Sequence, residues 1–209
     1  MQKVLGDKRA ILILLGPALL IYSLVMLVPI VWSLYYTVQD GNPIVGFTFN
    51  GLGNFVKFFQ DPAAWDAVFF TLKYAVILTA LQVALGYGLS LLYAGLVDIP
   101  EELIESARID GASGWKLIRT IIIPLSLPVL LSSIIFSING TLKVFDTVIA
   151  LTAGGPGNAT TPLTLYMFRT SFAYGDYGYG STIALMLTIL CLLFTVFIFR
   201  STRRDLTKE

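Results

Sequence analysis

Four long apolar runs, separated by polar connections, organise the 209-residue chain. From Ala10 to about Val38 the residues are almost wholly apolar, interrupted by Pro17 and Pro29. A second run covers Phe69 to Leu96, a third Pro124 to about Ala153, and a fourth Ser181 to Phe199, the last without a charge. A helix needs ~20 residues to cross ~30 Å of hydrocarbon. The pattern therefore predicts a single all-α transmembrane domain over residues 1–209, with spans at about 10–38, 69–96, 124–153 and 181–199. The first run is too long for a signal-peptide core and has no clear small-residue cleavage site, so it is expected to be retained. Proline within a span need mean no more than a local kink. Tyr35 and Tyr36 sit where an interfacial aromatic belt is expected.

The connections differ in kind. Residues 39–66 are polar and glycine-rich, yet carry Phe47, Phe49, Phe55, Phe58, Phe59 and Trp65, which suits a loop lying on the membrane surface. In residues 154–180, Gly154-Gly155-Pro156 breaks the helix and Leu163 to Phe172 is expected to form a short interfacial helix. The connection at 98–123 is the one charged island. Asp98 with Glu101 makes a capping-box-like start, with Pro100 in the first turn. Leu103, Ile104, Ala107 and Ile109 form a short apolar stripe. Asp110-Gly111 ends that helix because glycine takes the left-handed C′ conformation cheaply. Ser113 can cap a second helix running toward Pro124. Two short amphipathic helices joined by a glycine turn are expected at a membrane edge.

The third run gathers polar groups: Ser132, Ser133, Ser137, Asn139, Thr141, Lys143, Asp146 and Thr147. Ionisable side chains in a span are costly and face protein or a water-filled cavity. Lys143 and Asp146, three apart, are expected to meet on one helix face, either as a structural pair or on a substrate path. Ser137, Thr141, Val144 and Val148 line a neighbouring face.

Composition narrows the chemistry. The chain is 56% hydrophobic, and its mean hydropathy of +0.79 is too high for an ordinary soluble domain. A net charge of +1 gives no sign of a nucleic-acid partner. Cys191 is the single cysteine and histidine is absent, which excludes a disulfide framework, a cysteine metal cluster, zinc-protease motifs and Ser-His-Asp or Cys-His catalysis. No catalytic residue, metal ligand or bound cofactor is expected. The chain has no P-loop, so any ATP must be bound by another subunit. Ten Lys/Arg fall on one side of a four-span topology: Lys3, Lys8, Arg9, Arg108, Lys116, Arg119, Arg200, Arg203, Arg204 and Lys208. The other side has Lys57, Arg169 and the near-boundary Lys73. The positive-inside rule then places both termini and residues 98–123 in the cytoplasm.

Glu105-Ser106-Ala107, Asp110-Gly111-Ala112 and Ile121 to Pro124 closely resemble the cytoplasmic coupling loop of permease subunits in binding-protein-dependent ABC importers. Two further patterns resemble the carbohydrate branch of that family. One is Phe49-Asn50-Gly51-Leu52-Gly53-Asn54-Phe55 with Asp61-Pro62 and Trp65. The other is Phe145-Asp146, Gly154-Gly155-Pro156, Thr161, Tyr166 and Gly178-Tyr179-Gly180-Ser181. The resemblance implies a bacterial or archaeal cell-membrane subunit importing a sugar-like solute. It implies partners as well: ABC ATPase subunits docking on Glu105, Ser106, Ala107, Asp110, Gly111 and Ala112, a second permease and an extracytoplasmic solute-binding protein. It places sugar-contacting positions at Ser137, Thr141 and Val144, of which Val144 departs from the polar residue expected. Ser106 departs from the family's alanine. Family members also have six spans, and the pair normally preceding the coupling loop, about 60 residues judged as two crossings with loops, is missing at Ala94-Gly95-Leu96. Two other readings stand beside this one: a proton- or ion-coupled secondary transporter with Lys143 and Asp146 as relay, and a truncated, non-transporting remnant that only binds the ATPase.

Overall fold

The computed structural model describes residues 8–92 and 101–206. Asp98, Pro100 and the Ala94-Gly95-Leu96 junction lie outside the described residues. The architecture is helical, with one small hairpin. Helix α1 (Lys8–Tyr22) passes through a π turn at Ser23–Leu27 into α2 (Val28–Tyr36). Strands β1 (Gln39–Asn42) and β2 (Gly46–Phe49) pair antiparallel, with Gln39 opposite Phe49 and Asn42 opposite Gly46. Helix α3 (Gly53–Gln60) leads into the long α4 (Pro62–Leu92). The helices α5 (Glu101–Ile109) and α6 (Gly114–Leu117) follow, and a π turn at Ile118–Ile122 joins α6 to α7 (Ile123–Leu142). Short helices α8 (Asp146–Leu151) and α9 (Leu163–Phe168) precede α10 (Tyr177–Leu206).

Among the described residues, three helical stretches are long and apolar enough to cross a membrane: Ile13–Tyr36, Pro62–Leu89 and Tyr177–Arg200. Gly114–Leu127 and Val129–Leu142 meet at 58° and together make a fourth, bent candidate. Residue 128, between the two pieces, is a proline, which has no N–H to give to a helix ladder.

Three expectations need correction. The second helix begins at Pro62, not Phe69, because Asp61 caps it: its Oδ1 accepts the Ala63 N–H at 2.9 Å, and proline suits the first helical position. Residues 39–66, expected as a loop on the membrane surface, hold a hairpin and α3. The third span does not run to Ala153. Helix α7 stops at Leu142, Lys143 leaves the α region (φ −97°, ψ 17°), and Asp146 opens a new helix. The Val144 carbonyl is turned away to accept the Thr164 hydroxyl instead of an α-helical N–H. Lys143 and Asp146 therefore do not share a helix face. The Ser137, Thr141, Val144 and Val148 stripe is likewise interrupted after Thr141.

The chain forms two compact units. One takes in residues up to Ala64 together with Tyr166–Leu187, the other Trp65–Leu165 with residues from Thr188 onward. In the second unit Ala75, Ile138 and Leu142 are buried against Leu72, Leu190 and Phe194. Small side chains on α4 suit close helix approach, and polar pairs fix the register. Thr79 and Thr141 hydroxyls lie 3.2 Å apart, and Asn139 Nδ2 donates to Thr195 Oγ1 at 3.0 Å. The Leu163 N–H donates to the buried Thr71 hydroxyl at 2.8 Å.

Candidate functional site

The helix–turn–helix at Glu101–Leu117 is built from local rules. Helix α5 ends in a Schellman turn: the Ala112 N–H reaches back to the Ala107 carbonyl at 2.9 Å, and the Gly111 N–H to Arg108 at 3.0 Å. Gly111 sits at φ +80°, the left-handed region that costs other residues strain. The turn folds Ala107 and Ala112 together with Leu117, and Ile104, Ile121 and Ile122 pack around them. This satisfies orphan carbonyls and buries the inner half of the apolar stripe at once.

The other half of the stripe faces out. Leu103, Ile109 and Trp115 are exposed, Ile109 to 86%, beside the exposed Glu105, Ser106, Asp110 and Gly111. The Ser106 hydroxyl is taken up by its own helix, donating to the Leu103 carbonyl at 3.1 Å. The six positions singled out in the sequence thus divide. Ala107 and Ala112 hold the turn together, Gly111 shapes it, and Glu105, Ser106 and Asp110 offer a polar surface flanked by apolar side chains. No ion pair engages Glu105 or Asp110 among the described residues, which leaves both carboxylates available to a partner.

A groove of about 390 Å³ lies between α4 and α7, lined mainly by apolar surface. Four of its polar groups pair, Ser137 Oγ with Gln82 Oε1 at 2.5 Å and Tyr87 Oη with Ser126 Oγ at 2.5 Å, while Ser133 donates to the Val129 carbonyl of its own helix at 3.0 Å. Ser137 is the one member of the expected substrate path that lines it. Thr141 is buried one turn further on, its hydroxyl held by Thr79 and by its own helix. Lys143 and Asp146 are exposed on either side of the helix break, and Val144 lies within it. Gln82 and Tyr87 were not singled out from the sequence, although two polar side chains in an otherwise apolar run were the available signal.

The two connections at 39–66 and 154–180 meet in the first unit. Asp61 Oδ2 accepts the Tyr179 hydroxyl at 2.6 Å and also the Tyr166 hydroxyl. Lys57 forms an ion pair with Asp176 at 2.6 Å and lies 4.3 Å from the centre of the Tyr179 ring. Asn54, buried, donates to the Thr37 and Gln39 carbonyls at 3.0 and 2.7 Å. A Cβ at Gly178 would fall on the Gln39 carbonyl oxygen, so only glycine lets α10 start there. Burial works to raise the Asp61 carboxyl. The hydrogen bonds from Tyr166, Tyr179 and the amides of Ala63 and Ala64 outweigh it and hold the group below the usual 3.8. Burial, reinforced by the bond to Asp61 and its charge, pushes the Tyr166 phenol up.

Apolar helices of membrane-crossing length, with an amphipathic, solvent-facing helix–turn–helix between them, define an α-helical integral membrane protein. Residues 14–204 match the family described as binding-protein-dependent transport system inner membrane component. The chain belongs to that family, the permeases of ABC importers, and is a transport component rather than an enzyme. The trehalose/maltose transport system permease protein of Thermococcus litoralis is 38% identical over 136 residues, 65% of this chain and 46% of that one. A probable starch degradation products transport system permease of Thermoanaerobacterium thermosulfurigenes is 23% identical over 273 positions, covering 91% of this chain and 93% of that one. The match to the first relative thus spans under half of its length. The second alignment has 273 positions and takes in 91% of the 209 residues here, about 190, so roughly 80 of its positions have no counterpart in this chain. A bacterial ABC transporter that imports alginate has the same fold, with a TM-score of 0.71 at 17% identity over 94% of this chain and 95% of that one. These matches lend no support to the secondary-transporter and remnant readings.

Proposed function

We propose that the chain is a permease subunit that moves a sugar or similar polyhydroxylated solute into the cytoplasm, with ATP hydrolysed by separate ABC ATPase subunits docked on Glu105–Ala112. The observation that carries this is the glycine-centred turn. It hides Ala107 and Ala112 and leaves Glu105, Ser106, Ile109 and Asp110 on one rigid, solvent-facing knuckle. Such a knuckle, continuous through the π turn with α7, can carry a push from outside the membrane into a span. The sugar assignment is supported by the trehalose/maltose relative, the most identical of the two relatives compared. A second permease and an extracytoplasmic solute-binding protein complete the assembly, and bilayer lipid surrounds it. Both termini lie in the cytoplasm, on the side that carries ten of the Lys/Arg residues.

Within the span bundle, Ser137 offers a hydroxyl to the solute in the groove, and Thr141 holds the helix that presents it. Lys143, Val144 and Asp146 form the end of the path, where the helix break exposes charge. The test is co-expression with the neighbouring transport genes and purification in detergent. The ATPase and a second permease co-purify with the intact chain and are lost from the Glu105→Ala, Gly111→Val double variant. A stable, folded chain that brings down no ATPase would refute the proposal.

A further inference from the structure

The hairpin that follows the first membrane-crossing helix ends in a tip, Pro43-Ile44-Val45, that is strongly exposed: Ile44 to 95% and Val45 to 84%. Phe49 and Leu52 are exposed beside it in sequence, and between Asp40 and Lys57 no residue is charged. An apolar, uncharged tip is costly in water and has no place in an ordinary solvent loop. Its backbone is prepared for another medium. Pro43 has no N–H, and the Ile44 and Val45 N–H groups both donate to Asn42 Oδ1, at 2.9 and 3.0 Å. The tip thus carries three residues with no unpaired amide donor, which removes the main penalty for leaving water. The hairpin also adjoins a helix long and apolar enough to cross a membrane. Helix Ile13–Tyr36 has none of its crossing window buried inside the protein and ends three residues before β1. The Tyr36 ring, in the last turn of that helix, stacks on Phe47 of β2 with centroids 4.7 Å apart. This holds the hairpin at the level of the tyrosine belt, where amphipathic rings settle between headgroups and tails.

We infer that the tip Pro43-Ile44-Val45 is a membrane-interface anchor, inserted among the lipids beside the end of the first span. Its occupant is the lipid surface itself, recognised by apolar area and without charge selectivity. The inference rests on the chain being an integral membrane protein, not on the solute or the ATPase, so it stands or falls separately from the transport reading. The experiment uses the full chain in phosphatidylcholine liposomes. An environment-sensitive fluorophore is attached to Ile44→Cys, and in a second sample to Val45→Cys, both in a Cys191→Ser background. Because both side chains already point into open surroundings, labelling leaves the packing intact. An interfacial anchor ~5–10 Å deep predicts quenching by shallow nitroxide lipids about twofold stronger than by deep ones, with iodide access reduced to a similar degree. Full iodide access with no lipid quenching at either position overturns the inference. So does shielding that appears only when the solute-binding protein is added, which would make the tip a protein-docking surface instead.

Discussion

Replacing Gly111 tests the turn on which the proposed docking element depends, and the structure fixes what each replacement costs. No atom lies within 4 Å of the site where a Cβ would sit, so sterics against neighbours contribute nothing. The whole penalty is the left-handed backbone at φ +80°, about 1–2 kcal/mol for an ordinary L-residue and less for asparagine. A β-branched residue is a true outlier there. Opposing this are the two hydrogen bonds of the Schellman turn, from Ala112 and Gly111, each worth about 1 kcal/mol net. The strain is thus comparable with a turn bond, and it lowers the population of the formed turn by ~5–30-fold where the turn is marginal. The assay is the amount of ATPase retained by Gly111→Asn, Gly111→Ala and Gly111→Val in the purified assembly. Solute-stimulated ATP hydrolysis is measured alongside. Retention falls in that order, with asparagine near the parent. Equal retention by all three, or a greater loss for asparagine than for valine, contradicts the reasoning.

Three further perturbations address the rest of the molecule. Asp61→Asn weakens the junction made with Tyr166 and Tyr179. Because the Asp61 carboxyl is held below its ordinary value, its contribution is present at neutral pH and fades as pH falls through the usual carboxylate range near 3.8 and below. Thermal unfolding of the parent in nanodiscs from pH 7 to 3 shows this loss, and the asparagine variant shows a flatter profile. Gly178→Ala forces a methyl onto the Gln39 carbonyl and destabilises the first unit by about 1–3 kcal/mol, read as increased protease cleavage between residues 39 and 61. A double-mutant cycle of Thr79→Val with Thr141→Val returns a coupling of about 0.6 kcal/mol, the scale of hydrogen bonds between membrane helices. Additive effects would mean that the two hydroxyls do not bond.

Much of this fold was legible in the sequence because its strongest signals are local. Apolar runs pointed to the long apolar helices among the described residues, although the third candidate is bent and the second starts seven residues earlier than expected. The glycine turn was legible for the same reason, since a glycine after Asp110 at the end of an apolar stripe specifies a left-handed C′ residue whatever surrounds it. Long-range pairing was not. The helix break at Lys143 depends on Thr164, twenty residues from Val144, capturing the Val144 carbonyl. The uninterrupted i, i+3 and i, i+4 geometry expected of Lys143, Asp146 and Val144 therefore failed. Nor does any local pattern show that Asp61 joins Tyr179 across 118 positions, or that Gln82 answers Ser137 across 55. The motif fragments in the two connections were visible separately; only folding reveals that they form one junction.

Site-directed cross-linking from the knuckle tests the central claim most directly. A cysteine is placed by Ser106→Cys in the Cys191→Ser background, and a short bifunctional reagent is applied to the assembled transporter in membranes. The account predicts a covalent product with the ATPase subunit that changes in yield when ATP is added, because Ser106 is exposed on the face proposed to dock it. If the knuckle cysteine reacts readily with a soluble maleimide but yields no ATPase product in either nucleotide state, the helix–turn–helix is not the docking element.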